Sequence, residues 1–131
     1  MLSGGRLDLG VGLGWQREEF EGAGMPWAGR AARLDDQLRA CRALWAGEGP
    51  VSFRSETVSF EALCCLPRPV QAGGPPLWFG VAASERNAAR IAELGAGWLP
   101  IASDPDAIAA GVAVLRRAFE RAGRDPATLG V

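Results

Sequence analysis

The sequence predicts an α/β fold in which short parallel strands alternate with helices and a small β-hairpin is inserted. Apolar segments short enough to be strands are followed by segments with the apolar spacing of a helix. This alternation is typical of right-handed βα units, whose strands form a parallel sheet. The helical connections after residue 80 are short, and no low-complexity tract interrupts the chain. We therefore expect residues 1–131 to form a single domain.

The first predicted element is a strand with one apolar face and one glycine-rich face. Its alternating residues are Leu7, Leu9, Val11 and Leu13 on one side, and Asp8, Gly10, Gly12 and Gly14 on the other. The glycines do not form a dinucleotide-binding fingerprint, because Trp15 stands where the third glycine belongs and a charged loop follows. Two interpretations remain open. The glycines relieve crowding beside the sheet, or their bare backbone lets a flat ring approach closely.

A helix and a hairpin follow the charged loop over residues 15–29, in which Arg17–Phe20 has the composition of a helical turn. Residues 30–45 place Leu34, Leu38, Cys41 and Trp45 on one helical face. Gly47, Gly49 and Pro50 end this helix. Residues 51–53 and 58–60 flank a polar tip and predict the β-hairpin.

The second half of the chain predicts two further βα units. Residues 77–79 are wholly apolar, as in a strand buried on both faces, and are followed by Gly80. Ser84 is a suitable N-cap for a helix over residues 85–94, and a strand over residues 97–101 comes next. Asp104 and Pro105 predict the start of a helix that ends at Gly123. Residues 129–131 begin another strand.

Composition excludes several classes of function. The 14 basic and 15 acidic residues nearly cancel, without a basic stripe that would indicate a nucleic-acid partner. The chain has no histidine, which excludes Ser-His-Asp and Cys-His catalysis. Its three cysteines, Cys41, Cys64 and Cys65, form no CxxC motif, so we expect no metal site. No apolar run is long enough to span a membrane, and residues 1–6 lack an apolar signal core, so a cytoplasmic location is expected.

Two features could contribute to a binding site. The segment from Gly80 to Ser84 lies between a strand and a helix start, where unpaired backbone N–H groups favour a phosphate or carboxylate. Arg86 would add positive charge there, although a capped helix with an exposed arginine explains the same residues. Trp15, Trp78 and Trp98 lie at or near strands. They are expected either to pack in the core or to neighbour a flat aromatic cofactor.

These motifs, taken in order, resemble luciferase-like monooxygenases, and most closely the actinobacterial type predicted to use the deazaflavin coenzyme F420. Residues 2–7 and 10–15 resemble the fourth strand of that family's barrel. Residues 75–80 resemble its fifth strand, and residues 97–100 its sixth. The likeness continues through residues 17–20, 43–45, 51–60, 68–71, 85–87 and 122–126. It therefore covers essentially the whole chain.

The resemblance implies a luciferase-like oxidoreductase or monooxygenase on a (β/α)8 barrel. F420, or alternatively FMN, would lie at the C-terminal mouth of the strands and carry the hydride chemistry for a small-molecule substrate. Gly12 and Gly14 would lie near the ring or ribityl chain, with Trp15 as a candidate ring neighbour. Gly80, Val81, Ala82 and Ser84 would line the phosphate end. Many relatives have a second glycine where this chain has Val81, so extra bulk is expected there. No catalytic residue is identified.

The resemblance also implies a partial barrel, running from strand four to the start of strand seven. A complete barrel takes roughly 250 residues. A half barrel exposes unpaired strand edges and an apolar face. We therefore expect the chain alone to be unstable or aggregation-prone, or to associate as a homo-oligomer or with a complementing barrel half. The alternative functions are a non-catalytic truncated remnant, a half-barrel subunit and a bare cofactor-binding module.

Overall fold

A computed structural model describes residues 3–131. Met1 and Leu2 lie outside the described residues, and Leu2 is the first residue of the family-like segment 2–7. The chain forms two compact units, which are described separately. The hairpin unit comprises residues 3–6 and Leu13–Pro75, and the sheet unit comprises Leu7–Gly12 and Pro76–Val131. In chain order the elements are β1 (Leu9–Gly12), α1 (Arg17–Gly22), α2 (Arg30–Ala46), β2 (Val51–Arg54), β3 (Ser59–Leu63), β4 (Leu77–Gly80), α3 (Glu85–Leu94), β5 (Gly97–Trp98), α4 (Pro105–Arg121) and a 3₁₀ turn (Pro126–Thr128).

The sheet unit contains a parallel three-stranded sheet in the order β1-β4-β5. The register places Gly12 beside Gly80 and Gly97 beside Trp78. Gly130 forms an isolated parallel bridge to Gly97, at the position where the sequence predicts a strand to begin. The predicted parallel α/β arrangement is confirmed.

The two faces of the sheet differ sharply in side-chain size. Paired residues in a parallel sheet share a face. The helix face carries Leu77, Phe79 and Trp98, which are all buried. The opposite face, here called the glycine face, consists of Gly10, Gly12, Trp78, Gly80 and Gly97. Trp78 is therefore the one large side chain among these five positions.

Helices α3 and α4 begin at the caps that the sequence predicts. The Ser84 hydroxyl oxygen accepts the Asn87 amide proton at 3.3 Å. The Asp104 carboxylate accepts the amide protons of Asp106 and Ala107, and Pro105 opens α4. The apolar faces of these helices contribute the fully buried Ile91, Leu115 and Phe119 to the core. None of the helices within residues 3–131 combines the length and apolar character needed to cross a bilayer.

Two strands are shorter than predicted, and Trp15 is not a core residue. The strand predicted over residues 97–101 ends at Trp98, although the Leu99 amide still bonds the Phe79 carbonyl at 3.0 Å. Pro100 offers no amide proton to extend the ladder, and Ile101 is 72% exposed. Strand β1 stops at Gly12, two residues before Gly14 turns to a φ of +69°. Trp15 is 85% exposed, so the core interpretation was wrong for it.

In the hairpin unit, β2 and β3 pair antiparallel and confirm the predicted hairpin, with the Phe53 and Phe60 rings stacked at 5.9 Å. The hairpin tip is fastened to α2. The Asp36 carboxylate accepts the Thr57 hydroxyl proton at 2.8 Å and the Thr57 amide proton at 3.2 Å. Arg39 lies 3.6 Å from the same carboxylate. The Asp36 carboxylate therefore connects α2 to the hairpin tip through a residue 21 positions further along the sequence.

This connection predicts a pH dependence. The side-chain hydrogen bond from Thr57 holds the pKa of Asp36 below its ordinary value of 3.8, with help from Ser55. The connection is therefore complete above pH 3.8 and is lost as the pH falls through the depressed pKa of Asp36. In an NMR titration, the Thr57 amide shift should change with a midpoint below pH 3.8. The change should vanish in Asp36→Asn, whereas Thr57→Val should return the pKa of Asp36 towards its ordinary value. A Thr57 shift that titrates identically in Asp36→Asn would contradict this assignment.

Candidate functional site

The candidate site is the edge of the sheet unit at which the parallel strands end. Gly12 and Gly80 are register partners, and each is the last residue of its strand. The loop over residues 81–84 leads from β4 directly into α3. Ligands of parallel α/β sheets bind outside the carboxyl ends of the strands. The sequence-predicted residues Gly12, Gly80, Val81, Ala82 and Ser84 all lie in this unit.

Packing requires some glycines of the sheet unit and not others. A Cβ atom at Gly97 would come within 2.4 Å of the Trp78 ring, and one at Gly130 within 2.3 Å, so packing requires both glycines. At Gly80 the nearest atom to such a Cβ would be the Val11 oxygen, at an ordinary 3.8 Å. At Gly12 it would be the Gly80 oxygen at 3.3 Å. Within the described part of the chain, packing does not account for Gly80 and only weakly restricts Gly12.

The N-terminus of α3 adds hydrogen-bond donors beside this bare backbone. The Ser84 oxygen satisfies the Asn87 amide, and the Ser84 carbonyl satisfies the Ala88 amide. The amides of Glu85 and Arg86 make no hydrogen bond to any residue in the range 3–131. Two donors at the positive end of a helix macrodipole form a favourable environment for an anion.

Two of the loop carbonyls, those of Val81 and Ala82, are already engaged by donors and so are turned away from an anion. The Asn87 side-chain amide donates to the Ala82 carbonyl at 2.9 Å, and the Ser84 amide donates to the same oxygen at 2.9 Å. Asn87 is oriented by a hydrogen bond from Arg90, which is only 5% exposed. The Trp98 indole donates to the Val81 carbonyl at 2.7 Å. The loop thus engages the Val81 and Ala82 carbonyls and leaves the amides of Glu85 and Arg86 available.

Val81 does not add bulk to the ligand side of the loop. Its side chain is 4% exposed and belongs to the core of the sheet unit. The expectation that Val81 crowds the phosphate end was therefore wrong, because a buried side chain offers no surface to a ligand. A residue with a buried side chain can still contribute its backbone to the loop.

Gly14 and Trp15 belong to the hairpin unit. Gly14 has a φ of +69°, and a Cβ there would lie 2.7 Å from the Phe20 ring, so backbone conformation and packing both require this glycine. The side chain of Trp15 is almost fully exposed. An exposed tryptophan in a loop that follows a strand is more typical of a binding surface than of a core.

Arg30 is a candidate that the sequence interpretation missed. Its guanidinium lies 3.7 Å above the Trp27 ring, and its Nε is buried without a hydrogen-bond partner among residues 3–131. It opens α2, whose first turn has no acidic residue and no side-chain cap. A cation at the positive end of a helix is unfavourable unless an anion accompanies it. That conflict was visible in the sequence as an arginine at the first helical position.

The acids near the strand ends have structural partners. Glu85 forms an ion pair with Arg121 at 2.6 Å, and the Asp104 carboxylate caps α4. The two acids thus contribute to the stability of the sheet unit.

In the hairpin unit, burial raises the pKa of the Cys41 thiol, which disfavours its nucleophilic form.

Comparisons with known proteins agree with this geometry. The family model for luciferase-like monooxygenases matches residues 1–131. An uncharacterized protein of Mycobacterium tuberculosis is 38% identical over 124 residues, covering 95% of this chain and 43% of the relative. A phthiodiolone/phenolphthiodiolone dimycocerosates ketoreductase of the same species is 32% identical over 133 residues, covering 98% of this chain and 34% of the relative.

Solved structures give the same result. The monooxygenase RslO1 from Streptomyces bottropensis has a TM-score of 0.81 at 29% identity, over 95% of this chain and 38% of its own. An F420-dependent secondary alcohol dehydrogenase shares the fold, with a TM-score of 0.79 at 20% identity over 95% of this chain and 38% of its own. The chain thus spans about two fifths or less of the length of the proteins it matches. It belongs to the luciferase-like monooxygenase family and carries part of that family's (β/α)8 barrel.

Proposed function

We propose that this chain holds coenzyme F420, with FMN as the alternative, in an oxidoreductase that passes a hydride between the cofactor and a small-molecule substrate. One observation carries the proposal: the bare backbone of Gly12 and Gly80 ends beside the unpaired amides of Glu85 and Arg86. A flat ring system requires close approach to backbone, and its phosphate requires donors. Both requirements are met within the sheet unit.

The residues present fit such a group. Gly12 and Gly80 would form the floor under the ring or ribityl chain. The Ser84 hydroxyl and the Glu85 and Arg86 amides would bind the phosphate, with the Arg86 side chain adding charge. When bound, the cofactor supplies the hydride chemistry, and the protein supplies binding and orientation. It is consistent with the contacts of Glu85, which pairs with Arg121, and of Asp104, which caps α4.

The comparisons support the reaction class without fixing the substrate. One structural neighbour is an F420-dependent alcohol dehydrogenase, and one relative is a ketoreductase. Both names describe redox chemistry between a carbonyl and an alcohol. Another neighbour is a monooxygenase, which keeps FMN as the alternative cofactor. We favour F420, with hydride transfer to or from a carbonyl carbon, and propose that the whole protein's substrate binds at the same end of the strands.

Of the hairpin unit taken by itself, we further propose that Arg30 and Trp15 are ligand-binding residues. Arg30 is a half-buried cation whose described contact is the Trp27 ring, so an anionic group would neutralise it. Trp15 presents an exposed indole on which an aromatic ring could stack.

A fluorescence titration tests the proposal. We expect the chain to bind F420 and FMN saturably, and to bind riboflavin, which lacks the phosphate, at least tenfold more weakly, because charge-assisted hydrogen bonds to the phosphate are lost. Gly12→Val should weaken both cofactors by about tenfold or more, since a side chain would occupy the floor of the site. Gly22→Val is the matched control, because a Cβ at Gly22 has no neighbour within 4 Å.

The outcome separates the proposal from its alternatives. Saturable binding with turnover supports the oxidoreductase, and binding without turnover supports a bare cofactor-binding module. If neither cofactor binds, the proposal fails in favour of a non-catalytic remnant or a half-barrel subunit that requires a partner. Association as a homo-oligomer or with a complementing half is favoured by the exposed apolar side chains of Leu99 and Ile101, which are 44% and 72% accessible.

A further inference from the structure

Trp98 is hydrogen-bonded to the loop between β4 and α3. Its side chain is 2% exposed on the helix face of the sheet. Its indole N–H donates to the Val81 carbonyl at 2.7 Å, across 17 residues of sequence. The ring lies against α4 at Gly111, where a Cβ atom would come within 2.6 Å of it. A rigid, buried donor therefore fixes the carbonyl of the first loop residue.

The rest of the loop has little packing to hold it. An apolar pocket of about 400 Å³ lies beneath it, between the loop, Trp98 and α4. Small side chains such as Ala82, Ala83 and Ala107 line this pocket. Space beneath a loop permits displacement, because no close-packed side chain resists it. The Trp98 hydrogen bond therefore fixes the orientation of the Val81 carbonyl at the start of a loop whose other residues are loosely packed.

The orientation of Val81 determines what the loop offers a ligand. A peptide plane carries its carbonyl oxygen and the next amide proton on opposite sides, because the trans peptide is planar. The hydrogen bond from Trp98 orients the Val81 oxygen away from the edge at which the Glu85 and Arg86 amides are unpaired. Releasing it would add a repulsive partial charge next to an anion.

We propose that Trp98 is a positioning residue for the phosphate end of the cofactor: its indole N–H fixes the Val81 carbonyl and thereby presets the loop as an anion site. This inference rests on the proposed function, because it assumes that the phosphate binds at the α3 N-terminus. Trp98 contacts no ligand itself and acts through Val81. A tryptophan that merely filled the core would contribute to stability alone.

The first test measures amide hydrogen exchange in the loop without any cofactor. Trp98→Phe keeps most of the ring volume and removes the N–H. We expect exchange of the hydrogen-bonded amides of Ser84, Asn87 and Ala88 to accelerate about tenfold, as the loss of one buried hydrogen bond predicts. Trp45→Phe, in the hairpin unit, is the matched control and should leave these amides unchanged. Unchanged exchange across residues 81–88 in Trp98→Phe overturns the inference, even if the chain binds no cofactor.

The second test measures selectivity for phosphate. In Trp98→Phe, the affinity ratio of FMN to riboflavin should fall about tenfold, whereas a purely structural role would weaken both ligands equally and leave the ratio intact. If the wild-type chain binds neither ligand, the proposed function fails and the exchange experiment alone decides the inference. If Trp98→Phe does not fold, the wild-type indole resonance of Trp98 should shift with FMN and not with riboflavin; equal shifts with both ligands contradict the proposal.

Discussion

Replacing Gly97 with alanine should destabilise the sheet unit by about 3 kcal/mol, the upper end of the usual overpacking range. The added Cβ would lie 2.4 and 2.5 Å from two carbons of the Trp78 ring and 2.9 Å from the Gly130 oxygen. The ring cannot shift sideways, because it also lies against Gly130, where a Cβ would be 2.3 Å away. Backbone and indole are thus both in the way, and the strands must separate.

Urea unfolding followed by circular dichroism measures this loss. Gly49→Ala is the control, because nothing lies within 4 Å of a Cβ at that position and its backbone needs no special conformation. In a Trp78→Leu background, Gly97→Ala should lower the free energy of unfolding by less than it does in the wild type, since the smaller side chain leaves room for the methyl group. If Gly97→Ala is as stable as Gly49→Ala, Trp78 does not lie on the glycine face as described.

Replacing Arg124 with methionine should also cost about 3 kcal/mol, because one guanidinium serves several buried carbonyls. Its NH1 donates to the Gly95 oxygen at 2.7 Å and the Ala92 oxygen at 2.9 Å, at the C-terminus of α3. Its central carbon lies 4.1 Å from the centre of the Phe119 ring. Methionine retains apolar contact with Phe119. It leaves the Ala92 and Gly95 carbonyls without the Arg124 donor, and it removes a cation from the negative end of the helix macrodipole.

The same unfolding measurement applies, with Arg116→Met as the control on the exposed face of α4. Hydrogen exchange adds a local readout, because the last turn of α3 should open first when its cap is lost. Equal stability of the two methionine variants would show that Arg124 is a surface residue whose hydrogen bonds contribute nothing measurable.

Most of the sheet unit could be predicted from the sequence, because its signals are local. Helix α3 starts after Ser84 and ends before Gly95, as the cap residues indicate. The apolar run at residues 77–79 identified a buried strand. The end of β5 was harder to predict, because apolar residues continue to Ile101 while Pro100 cannot donate to the ladder. Apolar character alone does not decide where hydrogen bonding stops.

The candidate site was predictable in position and less so in detail. Strand ends, a glycine and a helix start are sequence features, and they led to Gly12, Gly80 and Ser84. The roles of Trp98 and Arg124 depend on contacts across 17 and 29 or more residues, which no local pattern encodes. The side chain of Val81 was expected beside the ligand, whereas only the fold reveals that it is buried.

Backbone NMR of the isotope-labelled chain, titrated with F420 and with FMN, would locate the bound cofactor on the sheet unit. We predict that the largest saturable shifts fall on the amides of Gly12, Gly80, Val81, Glu85 and Arg86, at the carboxyl ends of β1 and β4. Shifts concentrated at the opposite end of the strands, near Pro76 and Gly95, would contradict the account, as would the absence of saturable shifts.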